Sequence, residues 1–126
     1  LCVDILNGAP GIYSADWAIM NDGSRDFKFA TNRLINEIQK KNYVKPITAY
    51  FVCSLVLHWP DNYFEKFEGK IFGEINLSGR GTNGHGYDPI FQPSGYKETF
   101  GEMDRWKKNK ISHRGLAVDK LLDTCF

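Results

Sequence analysis

The stretch Ile47-Thr48-Ala49-Tyr50-Phe51-Val52-Cys53-Ser54-Leu55-Val56-Leu57-His58-Trp59 is nearly continuous in β-branched, aromatic and aliphatic side chains. Such a run reads as one long buried strand, because these side chains suit a pleated surface covered on both faces. Pro60-Asp61-Asn62 then turns the chain. Beyond the turn the pattern becomes alternation. Phe67, Ile71, Ile75 and Leu77 fall on one face, and Lys66, Glu68, Lys70, Glu74 and Asn76 on the other. That is the period of a half-buried strand. The two runs are predicted to be antiparallel neighbours, with Gly69 and Gly73 marking a bulge or a close approach.

Upstream, residues 26–41 form the clearest helix, with Phe27, Ala30, Leu34, Ile35 and Ile38 at helical spacing and polar residues between them. Residues 1–6 read as a short extended segment. A Gly- and Pro-punctuated loop follows at 7–11, a short helix at 12–20 and a turn at 21–24. Downstream, residues 78–93 are loop-rich around the apolar piece Pro89-Ile90-Phe91, and 99–108 is predicted as a short helix. Ser112 is placed to cap a last helix, whose Val118, Leu121, Leu122 and Cys125 make a core-facing stripe. No repeat or linker divides the chain, so residues 1–126 are read as a single domain.

A hydrophobic share of 42% against 25% charged residues fits a globular core and excludes disorder. The formal net charge of +1 argues against a nucleic-acid binder, which concentrates positive charge over its surface. The charge is nevertheless uneven. Arg105, Lys107, Lys108, Lys110 and Arg114 crowd one short stretch, a patch suited to a small polyphosphate. Cys2, Cys53 and Cys125 are widely spaced and form no CxxC pair, which points to reduced thiols and a cytoplasmic protein. No apolar run is long enough to span a membrane, and no leader pattern opens the sequence. Leu1 begins directly in an apolar run without a Met, so the chain is expected to be part of a longer one.

Two clusters can carry chemistry. In Gly79-Arg80-Gly81-Thr82-Asn83-Gly84-His85-Gly86-Tyr87-Asp88-Pro89 the glycines let backbone N–H groups approach a ligand closely. Taken alone, the same composition also describes a flexible turn, and no Gly-Lys-Ser/Thr follows to make it a P-loop. In Lys107-Lys108-Asn109-Lys110-Ile111-Ser112-His113-Arg114-Gly115, donor-only cations sit beside a helix start, a setting for phosphate or a carbonyl oxygen and equally for a solvated basic face. A free imidazole titrates near neutrality, which makes His85 and His113 candidate acid–base groups. No spaced His/Cys/Glu set suggests zinc. Asp4 and Asp16 read as surface or capping residues.

Five segments in order carry a resemblance. They are residues 1–15 (Leu-x-Val-Asp-x-Leu-x-Gly-Ala-Pro-Gly-Ile-Tyr-Ser-Ala), 51–57 (Phe-Val-Cys-x-Leu-x-Leu), 84–93 (Gly-x-Gly-Tyr-Asp-Pro-Ile-Phe-x-Pro), 99–103 (Thr-Phe-x-Glu-Met) and 108–115 (Lys-Asn-x-Ile-Ser-His-Arg-Gly). Together they resemble the inosine/xanthosine triphosphate pyrophosphatases, the Ham1-like dITP/XTP pyrophosphatases. The resemblance implies an elongated α/β fold with a central mixed sheet and a cleft between two lobes. It implies Mg²⁺-dependent hydrolysis of ITP, dITP and XTP to the monophosphate and pyrophosphate, and a homodimer. Carried over position by position, the substrate-binding residues are His85, Gly86, Tyr87, Asp88, Lys108, His113 and Arg114.

Two departures qualify this. His85 stands where the family usually stacks a Phe on the base; imidazole stacks more weakly and with a pH-dependent charge. The family's phosphate-binding Thr/Ser-x-Asn-x-x-Lys stretch, its metal-binding Glu and an Asp-Asp-Ser-Gly-like turn with the catalytic Asp precede the segment matched by Leu1. None of them occurs in residues 1–126. The expectation is therefore an enzyme domain with its N-terminal part absent, carrying recognition residues but no catalytic or metal-binding residue, and inactive in isolation.

Hypoxanthine and xanthine present a 6-oxo acceptor and an N1–H donor, and adenine presents the reverse. Arg114 can only donate and ionised Asp88 can only accept. Facing the base edge, they would reject adenine by roughly 10⁴-fold or more. Lys108 would meet phosphate charge or polarise a carbonyl. Two alternatives from other classes are a non-catalytic purine-nucleotide binding module and a small nucleic-acid binder using Tyr87, Trp106 and the lysine cluster.

Overall fold

A computed structural model describes residues 1–125. Its frame is a hairpin. Strand β2 (Thr48–His58) pairs antiparallel with β3 (Phe64–Ile75) without interruption, from Thr48 opposite Glu74 to His58 opposite Phe64. The short strand β1 (Cys2–Val3) adds to the free edge of β2, and β4 (Phe91–Pro93) adds to β3, giving the order β1-β2-β3-β4. Every pairing is antiparallel. The mixed sheet implied by the resemblance finds no parallel pair among the described residues: even β1 and β2, which have α1 between them along the chain, pair antiparallel.

The expected alternation of β3 holds, with Phe67 and Ile75 buried and Lys66, Glu68 and Lys70 exposed. The unbroken register excludes a bulge at Gly69. What that glycine provides is close approach: a Cβ there would lie 2.0 Å from the His113 carbonyl oxygen and 2.5 Å from the Ala117 nitrogen. The expectation of a long buried strand is corrected for β2. Ala49 and Phe51 are buried and Cys53, Leu55 and Leu57 half-buried, but Ser54, Val56 and His58, which alternate with them, are exposed, because this part of the strand is covered on one face only.

Helix α1 (Phe27–Gln39) starts where Asp26 accepts a hydrogen bond from the Lys28 N–H at 2.9 Å. It buries Ala30, Leu34 and Ile38, one turn apart each, in the core with Val3, Ile47, Ile90, Phe91 and Phe100. The predicted helix at 12–20 is instead two single 3₁₀ turns, Gly11–Tyr13 and Asp16–Ala18, with Ile12 and Tyr13 exposed. The helix predicted at 99–108 begins later, as α2 (Arg105–Ile111). Thr99 is held out of it, its hydroxyl donating to the Arg80 carbonyl at 2.6 Å and its N–H to Glu102 Oε1 at 3.0 Å.

Helix α3 (His113–Cys125) is capped as expected, with the Ser112 Oγ accepting from the Gly115 N–H at 3.1 Å. Its inward face is not the predicted stripe. Ala117 is buried, Leu121 and Cys125 are half-buried, and Val118 and Leu122 remain 37% and 47% exposed. Contact of the α3 backbone with Gly69 at His113 and Ala117 fixes the helix's rotation and turns Val118 and Leu122 outward.

Candidate functional site: a cation-lined cavity

The two chemistry-bearing clusters meet at one cavity of about 640 Å³. It is walled by the loop 84–88, the Phe51 region of β2, the α2–α3 junction, Phe27 of α1 and the segment around Ser14. All seven positions singled out from the sequence line it: His85, Gly86, Tyr87, Asp88, Lys108, His113 and Arg114. The substrate-binding positions carried over from the resemblance did not include Ser14, Phe27, Phe51, Met103, Asn109 or Arg105, the last noted only as part of the basic patch, and these also line it. Arg105 and Asn109 stand at helical spacing from Lys108 and Ser112. That signal was in the sequence, but the helix was placed too early for it to be used.

The loop is closed by its own carboxylate. Asp88 Oδ2 accepts from the His85 backbone N–H at 3.0 Å and from Lys108 Nζ at 2.5 Å. Gly84 makes room for this. Its φ is +72°, and a Cβ would lie 2.1 Å from Asp88 Oδ2. The Asp88 and Lys108 side chains keep only 5% and 16% exposure, so this is a largely buried ion pair linking the loop to α2. Lys108, assigned from the sequence to phosphate or a carbonyl, is thus paired first with Asp88.

Tyr87 is buried, and its hydroxyl donates to the Ser14 carbonyl at 2.7 Å. Phe27 meets its ring edge-on at a centroid distance of 5.8 Å. Burial pushes the phenol up to about 12. A Tyr87 so enclosed cannot stack on an extended nucleic acid, which removes one leg of the nucleic-acid alternative.

The His113 ring stacks on Phe51 at 4.8 Å and 12°. Its Nδ1 is buried and has no hydrogen-bond partner among the described residues. Burial lowers its pKa to about 4; Lys108 and Arg114 add to the shift and Asp88 opposes it. His113 is therefore neutral at physiological pH and does not serve as a cationic anchor. Because the unfolded chain binds more protons between pH 4 and 6.5, stability is expected to fall as pH drops through that window. Urea midpoints compared at pH 7 and pH 4.5 for the native chain and His113→Phe check this. The variant, which keeps the stack but cannot titrate, should show the shallower dependence.

Among the described residues no group of three or more His, Cys, Asp or Glu is placed to hold a metal ion. No described helix is long and apolar enough to cross a membrane.

Fold and cavity together define an α/β protein whose cation-rich, aromatic-walled cavity has the size of a nucleotide site. The chain belongs to the Ham1 family, whose model matches residues 1–124. It is 50% identical over its whole length to the dITP/XTP pyrophosphatase of Ruegeria pomeroyi, covering 61% of that protein. It is 46% identical over 99% of its length to the dITP/XTP pyrophosphatase of Rhizobium meliloti, covering 63% of it. Among solved structures, the Staphylococcus aureus Ham1 protein is similar with a TM-score of 0.86 at 35% identity, over 97% of this chain and 60% of that one. A HAM1 protein from Coxiella burnetii gives 0.88 at 30% identity, over 98% and 61%. The chain thus spans a little over three-fifths of the length of the relatives it matches.

Proposed function

We propose that the cavity recognises the base of a non-standard purine nucleotide and serves the hydrolysis of dITP, ITP and XTP to monophosphate and pyrophosphate. The observation that carries this is convergence. Seven residues from two separate sequence clusters, each ordinary by itself, line one cavity of nucleotide size. The names of the relatives support the same substrate class.

In this reading Asp88 takes the N1–H of a 6-oxo purine, while the donor-only groups Lys108 and Arg114 face the 6-oxo oxygen. Adenine would oppose its amino group to a cation and its bare N1 to a carboxylate. His113 offers a neutral edge and Phe51 a wall. Mg²⁺ belongs to the proposal through the family resemblance alone. A homodimer and a cytoplasmic setting belong to it too. Exposed Val56, Phe64 and Phe72 on the open face of the hairpin, and Val118 and Leu122 on α3, provide apolar surface for a partner subunit.

Calorimetric titration with IMP and AMP tests the reading. The native chain is expected to prefer IMP, and Arg114→Ala to lose about tenfold of that preference, the worth of one charge-assisted hydrogen bond. An IMP-to-AMP ratio left unchanged by Arg114→Ala would remove Arg114 from base recognition.

A further inference from the structure

Three cations line the cavity, Arg105, Lys108 and Arg114, against one carboxylate, Asp88. Lys108 and Asp88 engage each other at 2.5 Å. Among the described residues neither Arg105 nor Arg114 forms an ion pair with a carboxylate. Once the internal pair is counted, the cavity therefore presents two free guanidinium groups.

Arg114 already has a place in the base reading above. Arg105 does not. It is the first residue of α2, and the first turn is fixed by Asp104, whose carboxylate accepts from the Lys107 N–H at 2.8 Å. Arg105, Lys108, Asn109 and Ser112 recur at intervals that bring them to one side of α2, and all four line the cavity. Nothing in the helix itself favours Arg105. A cation in the first turn opposes the helix dipole, and Lys107 and Lys108 follow within the same turn. Its guanidinium has an aromatic neighbour, with the Trp106 ring centroid 5.2 Å away, but no anionic one.

Purines differ at two positions along the edge that such groups can read. The 6-oxo group and N1–H are common to hypoxanthine, xanthine and guanine. Position 2 separates them: hypoxanthine carries only C–H, xanthine an oxo acceptor and guanine an amino donor. The xanthine edge is thus acceptor, donor, acceptor. Its complement is a donor, an acceptor and a second donor. Arg114 or Lys108, Asp88 and Arg105 supply that set. A guanidinium has five N–H donors and no acceptor, so opposite a guanine amino group it has nothing to offer.

We infer that Arg105 reads position 2 of the purine, favouring a 2-oxo group, tolerating hydrogen and rejecting a 2-amino group. The inference rests on the purine reading of the cavity and deepens it. It gives the site a means to pass over guanine nucleotides, which match the accepted bases at every other edge position.

The test is calorimetric titration of the native chain, Arg105→Gln and Arg105→Lys with XMP, IMP and GMP. Native protein is expected to bind XMP tightest and GMP weakest. Because Arg105 is exposed and water screens it, Arg105→Gln should weaken XMP by about fivefold, with IMP nearly unchanged. GMP should gain, since the glutamine carbonyl accepts from the 2-amino group. Arg105→Lys should keep the native order. Equal losses for XMP and IMP, or an unchanged XMP-to-GMP ratio in the glutamine variant, would overturn the assignment of Arg105 alone. Absence of binding by all three nucleotides to the native chain would overturn the purine reading and this inference with it. Circular dichroism of each variant separates these outcomes from unfolding.

Discussion

Asp88→Ala should lower the unfolding free energy by about 3 kcal/mol, the low end of the range for breaking a buried ion pair. Lys108 keeps 16% exposure, and the water that reaches it softens the loss. The substitution strands the lysine ammonium, leaves the His85 N–H without its acceptor and opens the loop that Gly84 folds around the carboxylate. Urea titration reads the effect. A companion variant, Asp88→Leu with Lys108→Met, removes both charges and should recover most of the stability, because a buried pair costs desolvation that an apolar pair does not. Discrimination between IMP and AMP should be lost in both. That split separates the two roles of the pair, since stability returns when the charges go together and recognition does not. A loss below about 1 kcal/mol for Asp88→Ala would mean that the pair is solvated and behaves like a surface contact.

The second large effect is expected at a residue that touches no ligand. Gly69→Ala places a methyl group where the His113 carbonyl and the Ala117 nitrogen already lie, at 2.0 and 2.5 Å. Both obstacles are backbone, so no side chain can rotate away and α3 has to shift bodily from β3. Overpacking typically costs 1–3 kcal/mol and more where backbone must move, so a loss of about 3 kcal/mol is expected. In a domain of this size that is a fall in Tm of roughly 10 °C. His113 and Arg114 ride on the first turn of α3, so nucleotide affinity should fall with stability. A thermal melt within a degree or two of the native chain would show that α3 gives way freely, and that Gly69 does not set the cavity wall.

The parts of the fold that could be read from the sequence are those governed by local period. The β2–β3 hairpin, helix α1 and the Ser112 cap all follow from spacing and capping chemistry within a few residues. The misreadings fall where a distant contact decides. The stripe Val118, Leu121, Leu122 and Cys125 has sound helical spacing, but a glycine some fifty residues earlier sets the rotation of α3. Residues 99–103 read as part of the helix, but Gly101 disfavours it locally and the Thr99 bond to Arg80 holds the segment as a turn. The outer half of β2 is apolar enough to be buried on both faces, yet nothing in the described chain covers the face that carries Ser54, Val56 and His58. The site divides in the same way. Its seven positions came from motif order along the chain, while the pairing of Lys108 with Asp88 and the participation of Arg105 required the loop and α2 to be seen together.

The hairpin also sets an order of assembly. Its strands meet through a turn of five residues, 59–63, so its pairing closes the shortest loop in the sheet and needs no other element in place. The cavity is the opposite case. Ser14, Phe27, Phe51, Asp88 and Arg114 come from nearly the whole length of the chain and meet only when α1, the glycine loop and α3 have all docked on that hairpin. Under the proposed function, recognition is accordingly expected to be the last property this chain acquires as it folds and the first it gives up under stress. Nucleotide binding should vanish from a population of molecules that still hold much of their sheet.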